Sequence, residues 1–178
     1  MKLRFFLLAA LVAVSAPALA AEVSVDYTYA GNHNTDFSNL RVSLAVTEVT
    51  DDRGGDANHI AEDYSANSAL TDIIRNALIQ GFEHGGAELM EGDADMQIAG
   101  RIVSSQLQTV DRGGVESLQL TIRTNVALQG RGRTIWETTL FGRGTVPVDD
   151  GIAAAINSAL DRMIRELVND DYFLIEIQ

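Results

Sequence analysis

The chain contains no cysteine. Disulfides and thiolate metal sites are therefore excluded, and so is a lipid anchor carried on a cysteine at an export cleavage site. Stability must come from packing alone. Positive charge is also scarce, with 13 Lys and Arg against 25 Asp and Glu and a formal net charge of −12. An acidic surface repels nucleic acid and anionic membrane surfaces, so neither is expected as a partner. The one long apolar run, Phe5 to Val14, is shorter than the roughly 20 residues that span a bilayer, so no membrane span is expected. No internal repeat or low-complexity linker divides the chain.

Several catalytic signatures are absent as well. There is no G-x-S-x-G elbow, and the glycines at Gly113–Gly114 and Gly130–Gly132 lack the strand-then-helix setting of a phosphate loop. The three histidines, His33, His59 and His84, lie in separate segments without zinc spacing and read as scattered surface residues. The carboxylates Asp51, Asp52, Asp56, Glu62 and Asp63 are enough to attract a hard cation. They lack the ordered spacing and closing glutamate of a calcium loop, so a solvated acidic loop is the better reading. No catalytic residue, metal site or cofactor is assigned. Asp95, Asp111 and Glu137 are the acids placed at strand ends or on a sheet face, and ordinary turn and surface roles account for them.

What is present begins with an export signal. Lys2 and Arg4 precede the apolar run, and Ala18, Leu19, Ala20 supply small-residue cleavage positions, so cleavage after Ala20 and a periplasmic location are expected. Loss of Lys2 and Arg4 makes the remaining chain two units more acidic. The division read from the sequence is 1–20 signal peptide, 21–39 N-terminal extension with a short edge strand over Glu22–Tyr29, and 40–178 a single domain.

The stretch Glu116–Gln129 organises that domain. Leu118, Leu120, Ile122, Thr124, Val126 and Leu128 alternate with Gln119, Thr121, Arg123, Asn125, Ala127 and Gln129, giving a strand with one apolar and one polar face. Such a sheet needs cover on one side only. Strands are also expected from Leu40 to about Val49, from Ala94 to Val110 and from Ile135 to Gly142, and Ala94–Val110, Glu116–Gln129 and Ile135–Gly142 are expected to be joined as a meander by glycine-containing turns. Asp51 to about Tyr64 reads as a mobile loop.

Two amphipathic helices supply the cover. Leu70, Ile73, Ile74, Ala77, Leu78 and Phe82 form one stripe, capped by Asn67 or Ser68 and ended by Gly85–Gly86. Gly81 within it costs roughly 1 kcal/mol against alanine, which close approach to the sheet would explain. The second stripe runs from Ile152 to Val168, with Asp149 or Asp150 as its cap, and Tyr172–Ile177 follows as an edge strand or packed extension. The fold predicted is α+β, a two-layer sandwich with a mainly antiparallel sheet and two helices on one face.

Arg123, Arg131 and Arg133, with Arg143, stand out against the acidic whole. Arg123, Arg131 and Arg133 are the candidate partner-binding residues, as a local anion or partner patch. Arginines spaced to keep a hairpin soluble would look the same.

The segments RVSLAVTEVTDDRG from Arg41, SALTDIIRNALIQGF from Ser68, ADMQIAGRI from Ala94 and TIWETTLFGRG from Thr134 resemble the YajG-type envelope lipoproteins of Gram-negative bacteria. More distantly, the element order resembles α+β modules of envelope-assembly lipoproteins that hold partners. The resemblance implies no catalytic residues, and this chain departs from it by lacking the lipobox cysteine. The function expected is a non-catalytic periplasmic accessory or binding protein for an envelope protein or glycan partner. Its alternatives are a glycan hydrolase acting through carboxylates and a homo-oligomer paired through a sheet edge.

Overall fold

The computed structural model describes residues 20–31 and 33–178; the expected signal peptide, 1–20, therefore lies, all but Ala20, outside the described residues. The main sheet has the order β2-β5-β6-β7, formed by Leu44–Asp51, Met96–Asp111, Glu116–Gly130 and Arg133–Pro147. The last three make the expected antiparallel meander, whereas β2 joins β5 in parallel. A parallel partner requires a crossover, and α1 (Leu70–His84) lies within that crossover. A second, three-stranded sheet, β1-β4-β3, comes from Ala21–Val23, Tyr64–Ala66 and His59–Ala61.

The predicted two-layer α+β arrangement is present. In β6, Leu120, Ile122, Val126 and Leu128 are fully buried while Arg123 and Gln129 are exposed. The apolar stripes of α1 and of α2 (Gly151–Val168) are buried in the same core. The tail is a packed extension: α3 (Asp171–Ile177) starts where the Asp170 carboxylate accepts the Phe173 N–H at 2.9 Å. It buries Phe173 between Phe82 and Trp136.

Helix α2 sits unusually close to β7, and the sequence says why. A Cβ on Gly142 would stand 2.8 Å from the Ala159 carbonyl oxygen, and one on Gly144 would overlap the Ala155 carbonyl and lie 2.7 Å from the Ala159 nitrogen. Gly81 plays a different part from the one predicted. Its missing side chain makes room for Ile164 of α2, 2.5 Å from where its Cβ would stand. The close approach is helix to helix rather than helix to sheet.

Other expectations are corrected. The strand predicted from Leu40 starts at Leu44, because Ser43 is held by Asp95: its N–H and hydroxyl both donate to the Asp95 carboxylate, at 3.1 and 2.7 Å. Asp51–Tyr64 is not one open loop, since β3 and the start of β4 fall inside it. The loop is bolted at its root. Arg53 donates to Asp51 at 2.6 Å and to the Ile60 carbonyl at 3.1 Å, and that guanidinium holds the Asp51 carboxyl below its usual range. No side-chain cap forms at the start of α1 or α2. Asn67 instead accepts the Val25 N–H, and a short 3-10 turn, Val148–Asp150, leads into α2.

The residues from Val25 to Phe37 do not continue β1. The described residues of this stretch form a strap across the C-terminal ends of both long helices, where orphan carbonyls need donors. His33 Nε2 donates to Gly81 O at 2.9 Å, Thr35 Oγ1 to Val168 O at 3.0 Å, and the Phe37 N–H to Gly85 O at 2.7 Å. His33 is consequently buried rather than a surface residue, while His84, whose ring centroid lies 5.4 Å from that of His33, is exposed as expected. Phe37 continues the aromatic stack through Phe82 to Phe173.

One strap contact makes a pH-dependent prediction. The half-buried Tyr27 hydroxyl donates to Asp161 Oδ1 at 2.7 Å, and burial, with that acid beside it, pushes the phenol above its ordinary value of 10.0. The folded chain then keeps a proton that the unfolded chain releases, so this contribution is intact below about pH 10 and is lost as pH rises further. Tyr27→Phe is expected to cost about 1 kcal/mol at neutral pH. Its urea-unfolding free energy should also fall less steeply than the parent's above pH 10.

Candidate functional site

Among the described residues the three α-helices share the inner face, and the outer face of the main sheet is left without a covering layer. The ladder register places its side chains in rows across the strands. Thr50, Arg101, Asn125 and Thr139 form one row. Ser104, Arg123 and Phe141 form the next, then Gln106, Thr121 and Arg143, then Gln108, Gln119 and Thr145. Most of this surface is uncharged and polar.

Three arginines run diagonally across it, one per strand. Diagonal neighbours on a sheet are about 7–8 Å apart, so Arg101, Arg123 and Arg143 form a stripe rather than three separate charges. Arg123 lies over the Phe141 ring, with Cζ 5.3 Å from its centroid, a cation–π contact that orients the guanidinium plane. Arg101 pairs with Asp52 at 3.3 Å, both half-exposed, a contact of little energetic weight. A shallow depression of about 530 Å3 borders the stripe, between Glu48 and Thr50 of β2 and Glu137 of β7.

The predicted set Arg123, Arg131 and Arg133 is not brought together. Arg131 and Gly132, both with positive φ, form the two-residue β6–β7 turn, and Arg133 starts β7. At about 3.3 Å per residue, Arg131 is roughly 26 Å from Arg123 along the strand. Arg131 and Arg133 instead line a separate depression of about 360 Å3 that includes Asp95. Arg101 is the member that the charge pattern alone did not single out. Its signal was present, because Arg101 lies between the inward-facing Gly100 and Ile102 and must point outward.

The carboxylates considered for glycan hydrolysis do not converge. Asp95 and Asp111 flank opposite ends of β5, roughly 50 Å apart by strand rise, against the 5–9.5 Å that acid pairs need. Asp95 is further engaged by Ser43, whose hydrogen bonds lower its carboxyl from the ordinary range. Among the described residues, no group of three His, Cys, Asp or Glu is placed to hold a metal ion.

A family model, described as LptE, lipopolysaccharide-assembly, matches residues 57–170, which is well over half of the chain. The chain belongs to the LptE lipopolysaccharide-assembly family. The match takes in α1, the whole meander with its arginine stripe, and α2. The expected resemblance to envelope lipoproteins holds at this level. Among solved structures, a Xanthomonas campestris protein is similar at TM-score 0.65 and 16% identity, covering 88% of this chain and 97% of that one. At that identity it shows a shared fold. A minor lipoprotein from Acinetobacter baumannii gives TM-score 0.46 and 12% identity over 80% of this chain and 96% of its own. A Caulobacter crescentus protein described as a lipoprotein gives 0.41 and 13% over 67% and 89%. No curated protein matches. Among the described residues no helix is long and apolar enough to cross a membrane.

The two-faced sheet predicts opposite outcomes for two residues of β6 that lie on its two faces. Leu120→Asp puts an unpaired charge where the side chain is fully buried and should cost about 4 kcal/mol or more. Arg123→Ala, on the bare face, should change unfolding free energy by no more than about 0.5 kcal/mol. Equilibrium denaturation of the two variants measures both.

Proposed function

We propose that this LptE-family chain is a non-catalytic accessory protein, exported to the periplasm, that holds an envelope partner during lipopolysaccharide assembly against the bare face of its four-stranded sheet. The observation that carries this reading is the stripe Arg101, Arg123 and Arg143 on a mostly uncharged, polar face, with Glu48 and Glu137 to one side of it, in a strongly acidic chain. An arginine fork matches carboxylate and phosphate groups in two-point contacts, and a broad, shallow surface suits a macromolecular partner better than a small substrate. Family membership supports the assembly role, and the separation of the candidate carboxylates supports a binding role over hydrolysis. Arg131 and Arg133, at the β6–β7 turn, would extend the contact along the sheet rather than build its centre.

The test is crosslinking in intact cells followed by mass spectrometry of the crosslinked residues. Crosslinks from the outer face to a lipopolysaccharide-assembly component are expected, and R101E/R123E/R143E should abolish them while leaving the melting temperature within a few degrees of the parent. An unchanged crosslink pattern in a folded triple variant would refute the assignment of this face.

A further inference from the structure

The small sheet β1-β4-β3 takes no part in the arginine face, and its first strand begins at a chemically special nitrogen. In the parallel pairing of β1 with β4, Ala21 stands opposite Tyr64, Glu22 opposite Ser65 and Val23 opposite Ala66. The ladder opens with the Ala21 N–H donating to Asp63 O at 2.6 Å and ends with the Asn67 N–H donating to Val23 O at 3.0 Å. Alternation along a parallel strand assigns the bonds between them to the Ala21 carbonyl and the Val23 N–H. Ala20 precedes the strand and is exposed.

The export cleavage expected from the sequence falls on the link between Ala20 and Ala21. Hydrolysis adds water across that peptide bond. The oxygen goes to the Ala20 carboxyl, which departs with the leader as a carboxylate, and Ala21 keeps its nitrogen as an amino terminus, charged at neutral pH. One hydrogen on that nitrogen is already aimed at Asp63 O, so the cut costs the ladder no hydrogen bond. It turns the first donor from a neutral amide into an ammonium, and charge-assisted hydrogen bonds are roughly twice as strong as neutral ones. The surroundings suit a cation. Glu22 follows directly, and Glu62 and Asp63 form the turn between β3 and β4, with Glu62 at a φ of 49°; all three are exposed.

We infer that the Ala21 ammonium, created by export processing, is the group that closes β1 onto the β3–β4 turn. This role rests on the export proposed above and gives the exact point of cleavage a structural purpose. The strap depends on it as well. Asn67 holds Val23 O through its N–H and the Val25 N–H through its Oδ1, so a loosened β1 frees the start of the segment that crosses both helix ends. A leader left in place would keep the donor neutral, and cleavage one residue later would remove it.

Intact-mass measurement of the protein from the periplasmic fraction is expected to give a chain that begins at Ala21. Lys2 is the only lysine, so the processed chain carries a single amine, and an amine-directed acetylating reagent modifies the Ala21 nitrogen alone. Acetylation leaves an N–H to donate and removes the charge, which isolates the part played by the ammonium. Hydrogen exchange at the Val23, Val25 and Asn67 amides is expected to be about threefold or more faster in the acetylated chain than in the unmodified one, while the amides of β6 exchange alike in both. A processed chain that begins elsewhere, or exchange at those three amides that acetylation leaves unchanged, would overturn the inference. The first result also refutes export through this site, whereas the second leaves export standing, and crosslinks from the outer face bear on neither.

Discussion

The seating of α2 on β7 is the contact on which the rest of this molecule depends. Gly142 and Gly144 remove side chains from the inner face of β7 just where the Ala155–Ala159 turn of α2 crosses it. The helix comes down to backbone distance, and its stripe from Ile152 to Val168 then reaches β6 as well as β7. With α2 in that position, Ile164 enters the notch left by Gly81, which fixes α1 against it. The strap from Val25 to Phe37 closes the two helix ends together through His33, Thr35 and the Phe37 backbone. Small residues thus set the spacing, and large ones fill what remains.

That one-sided cover bears on the proposed function. A sheet whose helices lie on one face has its other face free of them, and in this chain that face collects Arg101, Arg123 and Arg143. The same economy governs the edges. Glu166 and Arg75 project from the covering helices and occupy the main-chain groups of β7 and β2. The β5–β6 hairpin runs past the end of β2, where the loop Arg53–His59 lies beside Ser104–Gln106.

Elements with strong periodicity were legible in the sequence. The alternation through β6 and the unbroken stripe of α2 fixed two layers and the side on which each residue falls. What was not legible depends on contacts between distant residues. Nothing local to Tyr27 or His33 signals a strap, since their partners, Asp161 and Gly81, are far along the chain. The three-residue strands β3 and β4 are too short to show a period within a glycine- and aspartate-rich stretch. Of the candidate site, the arginines against an acidic background were legible but their grouping was not: strand register, not proximity in sequence, places Arg101 and Arg143 beside Arg123 and leaves Arg131 and Arg133 apart.

Urea unfolding of Gly144→Ala, with Thr145→Ala as its neighbour on the bare face, tests the seating of α2 most directly. The alanine methyl must push the helix off the strand, so Gly144→Ala is expected to lower the unfolding free energy by about 1–3 kcal/mol, with Thr145→Ala within about 0.5 kcal/mol of the parent. A Gly144→Ala chain as stable as the parent would contradict the account.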